Sequence, residues 1–418
     1  MGRSNIYSGG TGDKINGIIQ DYVVASGGNV NAGDFVTYIQ NLSILKNDID
    51  SDNNIGTSAI KAVALNSKKI LILYQYRHSS TYYLYVKLIT INDDDTLTIS
   101  SKTALYSFYQ YQHSNTSMVK INDTQILVSS TQLSTYSSNQ DGPTQAVIIN
   151  IDNNDNITVS SVTELITQKF NNVSNLKALE NNKVFFMYSR ADTYGGTLKT
   201  YGEIITINSN NTITRGTAVE LTSSSSVNIL SLNDNLLYAG FNVVQINNNS
   251  ITIKQTNNET LHTSALLVNN NYILSFTSSN YYLTGKIYSI EPNYTINLLN
   301  TIQLSSLAYS AMSVKALTLT SNELFITHSV RTSDGDDILY GLSLLLAIDN
   351  NYMLIPKDDL QISNTDDSSI HTSLLLQNNK VFVYYWGRRS RYTITASIIS
   401  LSGGLVKATS LNSIIRYI

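Results

Sequence analysis

The stretch Tyr384–Tyr385–Trp386–Gly387–Arg388–Arg389–Ser390–Arg391–Tyr392 sets the only tryptophan of the chain beside three arginines and flanks them with tyrosines. Flat aromatic rings stack on the apolar faces of pyranoses, and guanidinium forks bond hydroxyls or anionic substituents, so the combination suits sugar recognition. The same residue types recur in QYRHSSTYY, SRADTYGGTLKTY and SVRTSDGDDILY, which hold Arg77, Tyr82, Tyr83, Arg190, Tyr194 and Arg331. The plainer reading of any one of them is a loop residue whose stem packs and whose tip stays wet. As a set, Trp386, Arg388, Arg389, Arg391, Tyr392 and the six residues above are the candidate ligand-binding residues.

Other chemistry finds less support. His113, His262 and His371 could suggest a metal, but a histidine at the start of a strand more simply bonds a neighbouring turn, so no metal site is assigned. A glycosidase needs two carboxylates facing one cleft, and nothing pairs Asp192, Asp334, Asp336 or Asp337. The S-x-D-x-G-x-T-W turns that accompany the arginine cluster of sialidases are absent, as are GxxxxGK[ST] and GxSxG. The run DIDSDNNIG spaces Asp48, Asp50 and Asp52 like the start of a calcium loop, but Ala59 stands where a bidentate Glu belongs and Asn53 where the turn Gly belongs. It reads as a polar linker. The expectation is therefore a non-enzymatic protein with no catalytic residue and no cofactor.

Bulk composition narrows the partners. Of 418 residues only 14% are charged, and the formal net charge is -3 with a pI near 6.0, so no electrostatic footprint for nucleic acid is present. The absence of cysteine removes disulfides, thiolate metal sites and a Cys nucleophile. No run approaches the ~18 apolar residues of a membrane span. The opening MGRSNIYSGGTGDK lacks the apolar core of a secretory signal, so release by cell lysis is expected, and its loose match to a myristoylation pattern is set aside.

The elements that must position the candidates are hairpins. ITINSNNTIT at Ile205–Thr214 alternates apolar and polar residues, turns on Asn and Ser, and alternates again. Like segments end their first strand at Ile91, Ile151, Ile207, Ile246, Ile290, Ile348 and Leu401. A second hairpin interleaves with them, as in LHTSALLVNNNYILSF from Leu261 and IHTSLLLQNNKVFVYY from Ile370, and it too recurs seven times. Period-2 alternation marks strands, and Asn, Asp and Gly tolerate the positive φ that tight turns need. Each repeat thus holds four strands in meander order, A to D. In the third repeat these are 175–179, 184–188, 197–207 and 212–221.

Four-stranded sheets repeated radially are the signature of a β-propeller, whose blades bury one another's apolar faces. The expected fold is all-β: a seven-bladed propeller of four-stranded blades over 57–418, a polar connector over 46–56 and a small N-terminal β attachment module over 1–45. Whether the N-terminal residues lend a strand to the last blade is left open. In this geometry the A–B and C–D turns share one face, which looks generic. The B–C loops, with most of the arginines, share the other with the D–A connections.

The segment ASGGNVNAGDFVTYI, Ala25–Ile39, resembles an N-terminal stretch of structural proteins from phages of low-GC Gram-positive bacteria, Clostridia included. The Asn, Ile, Tyr and Ser bias suits an AT-rich genome. The resemblance implies a virion component made in the bacterial cytoplasm, anchored to other virion proteins through residues 1–45, with the propeller displayed. The reading that follows is a tail or baseplate propeller that recognises host surface carbohydrate, without nucleic acid or membrane insertion and compatible with a homo-oligomer. The alternatives are a capsid decoration or head fibre protein, and, third, a glycan-cleaving enzyme.

Overall fold

A computed structural model describes residues 36–407 with short interruptions at loops, the longest of them 332–338. Every regular element among the described residues is a strand, and no helix is present. The strands form seven antiparallel sheets. Six are self-contained blades cut from consecutive chain: 55–109, 111–166, 171–222, 229–256, 264–305 and 311–361. The remaining sheet is composite. Its strands Ser368–Leu375, Lys380–Gly387 and Thr393–Lys407 are joined at the edge by Val36–Asp50 from the other end of the chain.

The first strand of each sheet touches the first strands of the sheets before and after it, and that of the last sheet touches that of the first. The first strands therefore line an axis, and the sheets radiate from it as a closed propeller. The second strands explain why a chain so rich in Asn and Ser folds this way. In Lys69–His78, Ile70, Leu71, Ile72, Leu73 and Tyr74 are all 0% exposed, so both faces of the strand are covered and the apolar run is continuous rather than alternating. Among the described residues six of the seven interfaces show an apolar seam between neighbours. Leu73, Leu84 and Val86 of the first sheet meet Ile126, Val128 and Val147 of the second. Ile70, Ile72 and Tyr74 meet Phe382 and Ile398 of the composite sheet, which closes the ring.

The turns follow the predicted chemistry. In the third blade Asn208 Nδ2 donates to Thr212 Oγ1 and Thr214 Oγ1, 2.9 Å each, while Thr212 Oγ1 donates to Asn210 Oδ1 at 2.7 Å. The first blade repeats this with Asn92, Thr96, Thr98 and Asp94. Asp155 and Asn211 occupy the left-handed region at φ 65° and 60°, where a short polar side chain is tolerated. The fourth strand of each of the first three blades breaks after three residues, at Ser100, Ser160 and Gly216, whose amides bond back to Leu88, Ile148 and Ile204.

Three expectations need correction. Residues 46–50 and 55–56 lie in strands rather than in a connector, residues 51–54 lie outside the described residues, and 36–45 belong to the propeller rather than to a separate module. Val36–Asp50 pairs antiparallel with Thr393–Lys407 from Val36↔Lys407 to Asp50↔Ile394, and Ile55 already pairs with Tyr76 in the first blade. A run of alternating residues at one end of the chain can satisfy an edge strand at the other, which a reading by local turns does not detect. The expected hairpin after Leu401 is also absent. Ser402, Gly403 and Gly404 stay in the strand, opposite Asn41, Gln40 and Ile39, so six hairpins of this kind form and the seventh place is taken by the N-terminal strand. Finally, Asp48 and Asp50 lie in that extended strand, on either side of a register shift, rather than in a linker or a calcium loop. Residues 1–35 lie outside the described residues.

Candidate functional site

The register of the second and third strands decides where the candidates sit. Arg77 pairs with Tyr82, Arg190 with Lys199, Arg331 with Leu339 and Trp386 with Ile394, each at the end of its hairpin remote from the A–B turn. In backbone register these four positions therefore fall at the B–C ends of their blades. Side chains are described for Arg190, Tyr82 and Tyr83. Tyr194, Arg388, Arg389, Arg391 and Tyr392 lie outside the described residues, and so does His262.

The described side chains divide. The Arg190 guanidinium lies 4.5 Å from the centre of the Tyr201 ring, and Tyr201 stacks on Tyr188 at 5.6 Å. Its Nε is buried without a hydrogen-bond acceptor among the described residues. An arginine beside stacked tyrosines is a combination suited to a ligand with oxygen acceptors and an apolar face. Tyr83 is half-buried and stacks on Tyr85 at 5.8 Å. Tyr82 departs from expectation: at 6% exposure it is a packing residue, not part of a rim. In an alternating strand it takes the covered face while Tyr83 takes the other.

The same blade holds an ion pair that charge counting did not single out. Glu203 is 0% exposed, and Arg215 Nε donates to its Oε1 at 2.7 Å while Arg215 Nη1 donates to the Leu165 carbonyl. This raises the Arg215 pKa further and leaves the carboxylate spent on the protein itself. Tyr188 nearby has its hydroxyl pKa raised, first by burial and then by Glu203.

A cavity lies on the opposite face, the one expected to be generic. It is an open groove of about 480 Å³ between the fourth and fifth blades, floored by Leu232, Leu236 and Ile290 and edged by Tyr272, Glu291 and Tyr294. Tyr294 sits at φ 67° where Asp155 and Asn211 stand in other blades. The substitution of an aromatic for Asn at a repeated turn position was the signal in the sequence, and it was masked by the likeness of the turns. A second cavity of about 40 Å³ is lined by Asn175, Asn228, Ile229, Leu230 and Ala265, residues of the innermost strands of three successive blades, together with Tyr238 and Leu261. Glu291 is the single carboxylate of the groove, and the smaller cavity holds none. No cluster of metal-ligating side chains occurs among the described residues.

No family model matches the sequence. No curated protein matches it either. Solved structures do resemble it in backbone. The core factor of S. cerevisiae matches 89% of this chain at 11% identity with a TM-score of 0.49, and this chain spans 62% of that one. A mutant of the NanB sialidase from Streptococcus pneumoniae matches 85% of this chain and 69% of its own at 10% identity and a TM-score of 0.43. The hemagglutinin-neuraminidase of parainfluenza virus 5 matches 87% of this chain and 95% of its own at 10% identity and a TM-score of 0.40. The assignment of a propeller stands on the sheet order and the closed ring of first strands.

Proposed function

We propose that the protein is a binding propeller that recognises cell-surface carbohydrate through its B–C face, without cleaving it. The observation that carries this reading is Arg190 at the B–C end of its strand, its guanidinium 4.5 Å from the centre of the Tyr201 ring, which stacks on Tyr188. The register supports it by bringing the backbone of Arg77, Arg331 and Trp386 to the same end of their hairpins. Sugar hydroxyls and ring faces match an arginine donor beside stacked tyrosines.

The proposed setting is the tail or baseplate of a phage particle, where residues at the N-terminus attach the propeller to other virion proteins. It rests on the resemblance of Ala25–Ile39. Labelling the protein on purified particles tests it, and a head location or absence from particles rejects it. The carbohydrate reading is tested separately on a glycan array with the full chain, then with Arg190→Ala and Trp386→Ala. Binding that weakens about tenfold or more in each variant supports it. Absence of glycan binding, or binding unchanged by both substitutions, removes it, and release of sugar from cell-wall polysaccharide overturns the non-enzymatic assignment.

A further inference from the structure

The innermost strands carry an unusual charge pattern. Across Ile55–Ala64, Tyr111–Lys120, Asn171–Ala178, Ile229–Ser231, Ser264–Val268, Ala311–Thr320 and Ser368–Leu375 there is no Asp or Glu, yet there are four lysines. Lys120 is spent on Asp123 at 2.6 Å and on the Leu65 carbonyl. Lys61, Lys177 and Lys315 have neither an acidic partner nor a hydrogen bond from the side chain among the described residues.

Two of these lysines share one level of the axis. Counting from the bond that closes each A–B turn, Lys61 pairs with Leu73, Ser117 with Ser129, Asn175 with Met187, Ser264 with Phe276 and Lys315 with Thr327. Asn228 takes the same place in the fourth blade, accepting from the Gly240 amide. Among the described residues the neutral members at this level are hydrogen-bonded to their neighbours: Ser117 to Asn175 at 3.2 Å, Asn228 to the Leu261 carbonyl and Ser264 to the Val314 carbonyl. The small cavity beside Asn175 and Asn228 lies at this level, among the third, fourth and fifth blades, and neither lysine lines it. Lys61 and Lys315 both keep some accessible surface. Their strands are separated by the composite sheet, yet the Lys315 charge acts on Lys61. Desolvation is the main influence on both and, with that repulsion, brings the Lys61 ammonium down to a pKa of about 8. Two desolvated ammonium groups at one level of the innermost strands, repelling one another and without an acidic partner among the described residues, are costly unless something neutralises them.

We propose that the axial channel is a binding site for a small oxyanion, of the phosphate or sulfate class, held between the ammonium groups of Lys61 and Lys315. The innermost strands offer the anion two cations at one level and no competing carboxylate. Lys177 stands two residues further toward the A–B turns and adds positive potential along the same axis. The site is independent of the B–C rim.

The test uses the full chain in a weakly coordinating buffer. Phosphate is titrated by calorimetry and followed by 31P line width, with sodium chloride at matched ionic strength as control, for the natural chain, Lys61→Met, Lys315→Met and the double variant. Methionine keeps the stem and removes the charge. Saturable phosphate binding is expected in the natural chain, weakened about tenfold or more by either substitution. The unliganded double variant should melt at a higher temperature than the unliganded natural chain, because two like charges have been removed from a confined space. No phosphate binding above the chloride control, a response to chloride of equal size, or a double variant that binds as the natural chain does would each overturn the proposal. Should a variant not fold, the titration of the natural chain alone decides it.

Discussion

Gln125 Nε2, at the start of the second strand of one blade, donates to Asn211 Oδ1 in a turn of the next blade, 3.0 Å away. The preceding interface repeats the relation with different residues, since Lys69 Nζ bonds the Asp155 carboxylate at the equivalent places. Between the fourth and fifth blades the same two places hold Leu236 and Tyr294, packed in one apolar cluster. The latch between neighbouring blades is thus conserved in position and varied in chemistry.

That variation predicts a coupled pair. Tyr294→Asn relieves an aromatic residue at φ 67° but strands an amide against Leu236. Leu236→Gln alone does the reverse. Each single change should destabilise, and the double change, which restores an amide–amide latch, should recover about 0.5–3 kcal/mol of the sum. A double-mutant cycle by denaturant unfolding reads the coupling, and strict additivity contradicts it.

The Glu203–Arg215 pair gives a sharper contrast. Removing the cation with Arg215→Met leaves a carboxylate at 0% exposure without its partner and should cost about 3–5 kcal/mol. Adding Glu203→Leu should return most of that loss, because it removes the unpaired charge from the one covered position of the pair. Chemical denaturation of the three variants provides the comparison.

His328 predicts a pH dependence. It is 3% exposed, both ring nitrogens lack a hydrogen-bond partner among the described residues, and burial lowers its pKa from 6.5 to about 4. The folded state therefore prefers the neutral ring. As pH falls below 6.5 the unfolded chain binds the proton first, so this contribution to stability declines down to about pH 4 and levels off below it. The full span is on the order of 3 kcal/mol. His328→Leu should flatten the profile over that window, and an unchanged profile refutes the assignment.

Gly202 is required by its neighbours. A Cβ there would lie 2.8 Å from Phe185 Cζ and 3.2 Å from Leu221 Cδ1, and Phe185 is itself 0% exposed. Gly202→Ala is expected to lower stability by about 1–3 kcal/mol through overpacking, and Phe185→Leu in the same chain should restore part of it. Thermal melts of both variants check this.

Closure by the N-terminal strand predicts the outcome of truncation. Without residues 1–50 the strand Thr393–Lys407 loses its partner and becomes an open edge. The truncated chain should self-associate and lose cooperative unfolding, which size-exclusion chromatography and calorimetry report. A monomer that melts like the full chain removes the closing role.

Much of the fold was written locally. ITINSNNTIT and its copies determined strand, turn and strand because alternation and Asn-rich turns act over a few residues; the second and third strands of the third blade fall where that pattern places them, and the fourth, expected over 212–221, is broken at Gly216. The pairing of Val36–Asp50 with Thr393–Lys407 was not legible, because it joins segments more than 300 positions apart in the chain by backbone bonds that carry no residue signature. The same limit applied to the sites. Spacing could bring Arg77, Arg190, Arg331 and Trp386 to the ends of like hairpins, since that depends on position within a repeat. Which side chains end covered, as Tyr82 does, and which charges act on one another, as Lys61 and Lys315 do, was decided by the closing of the ring, since burial and electrostatic contact are properties of the packed sheets and not of the order of residues along the chain.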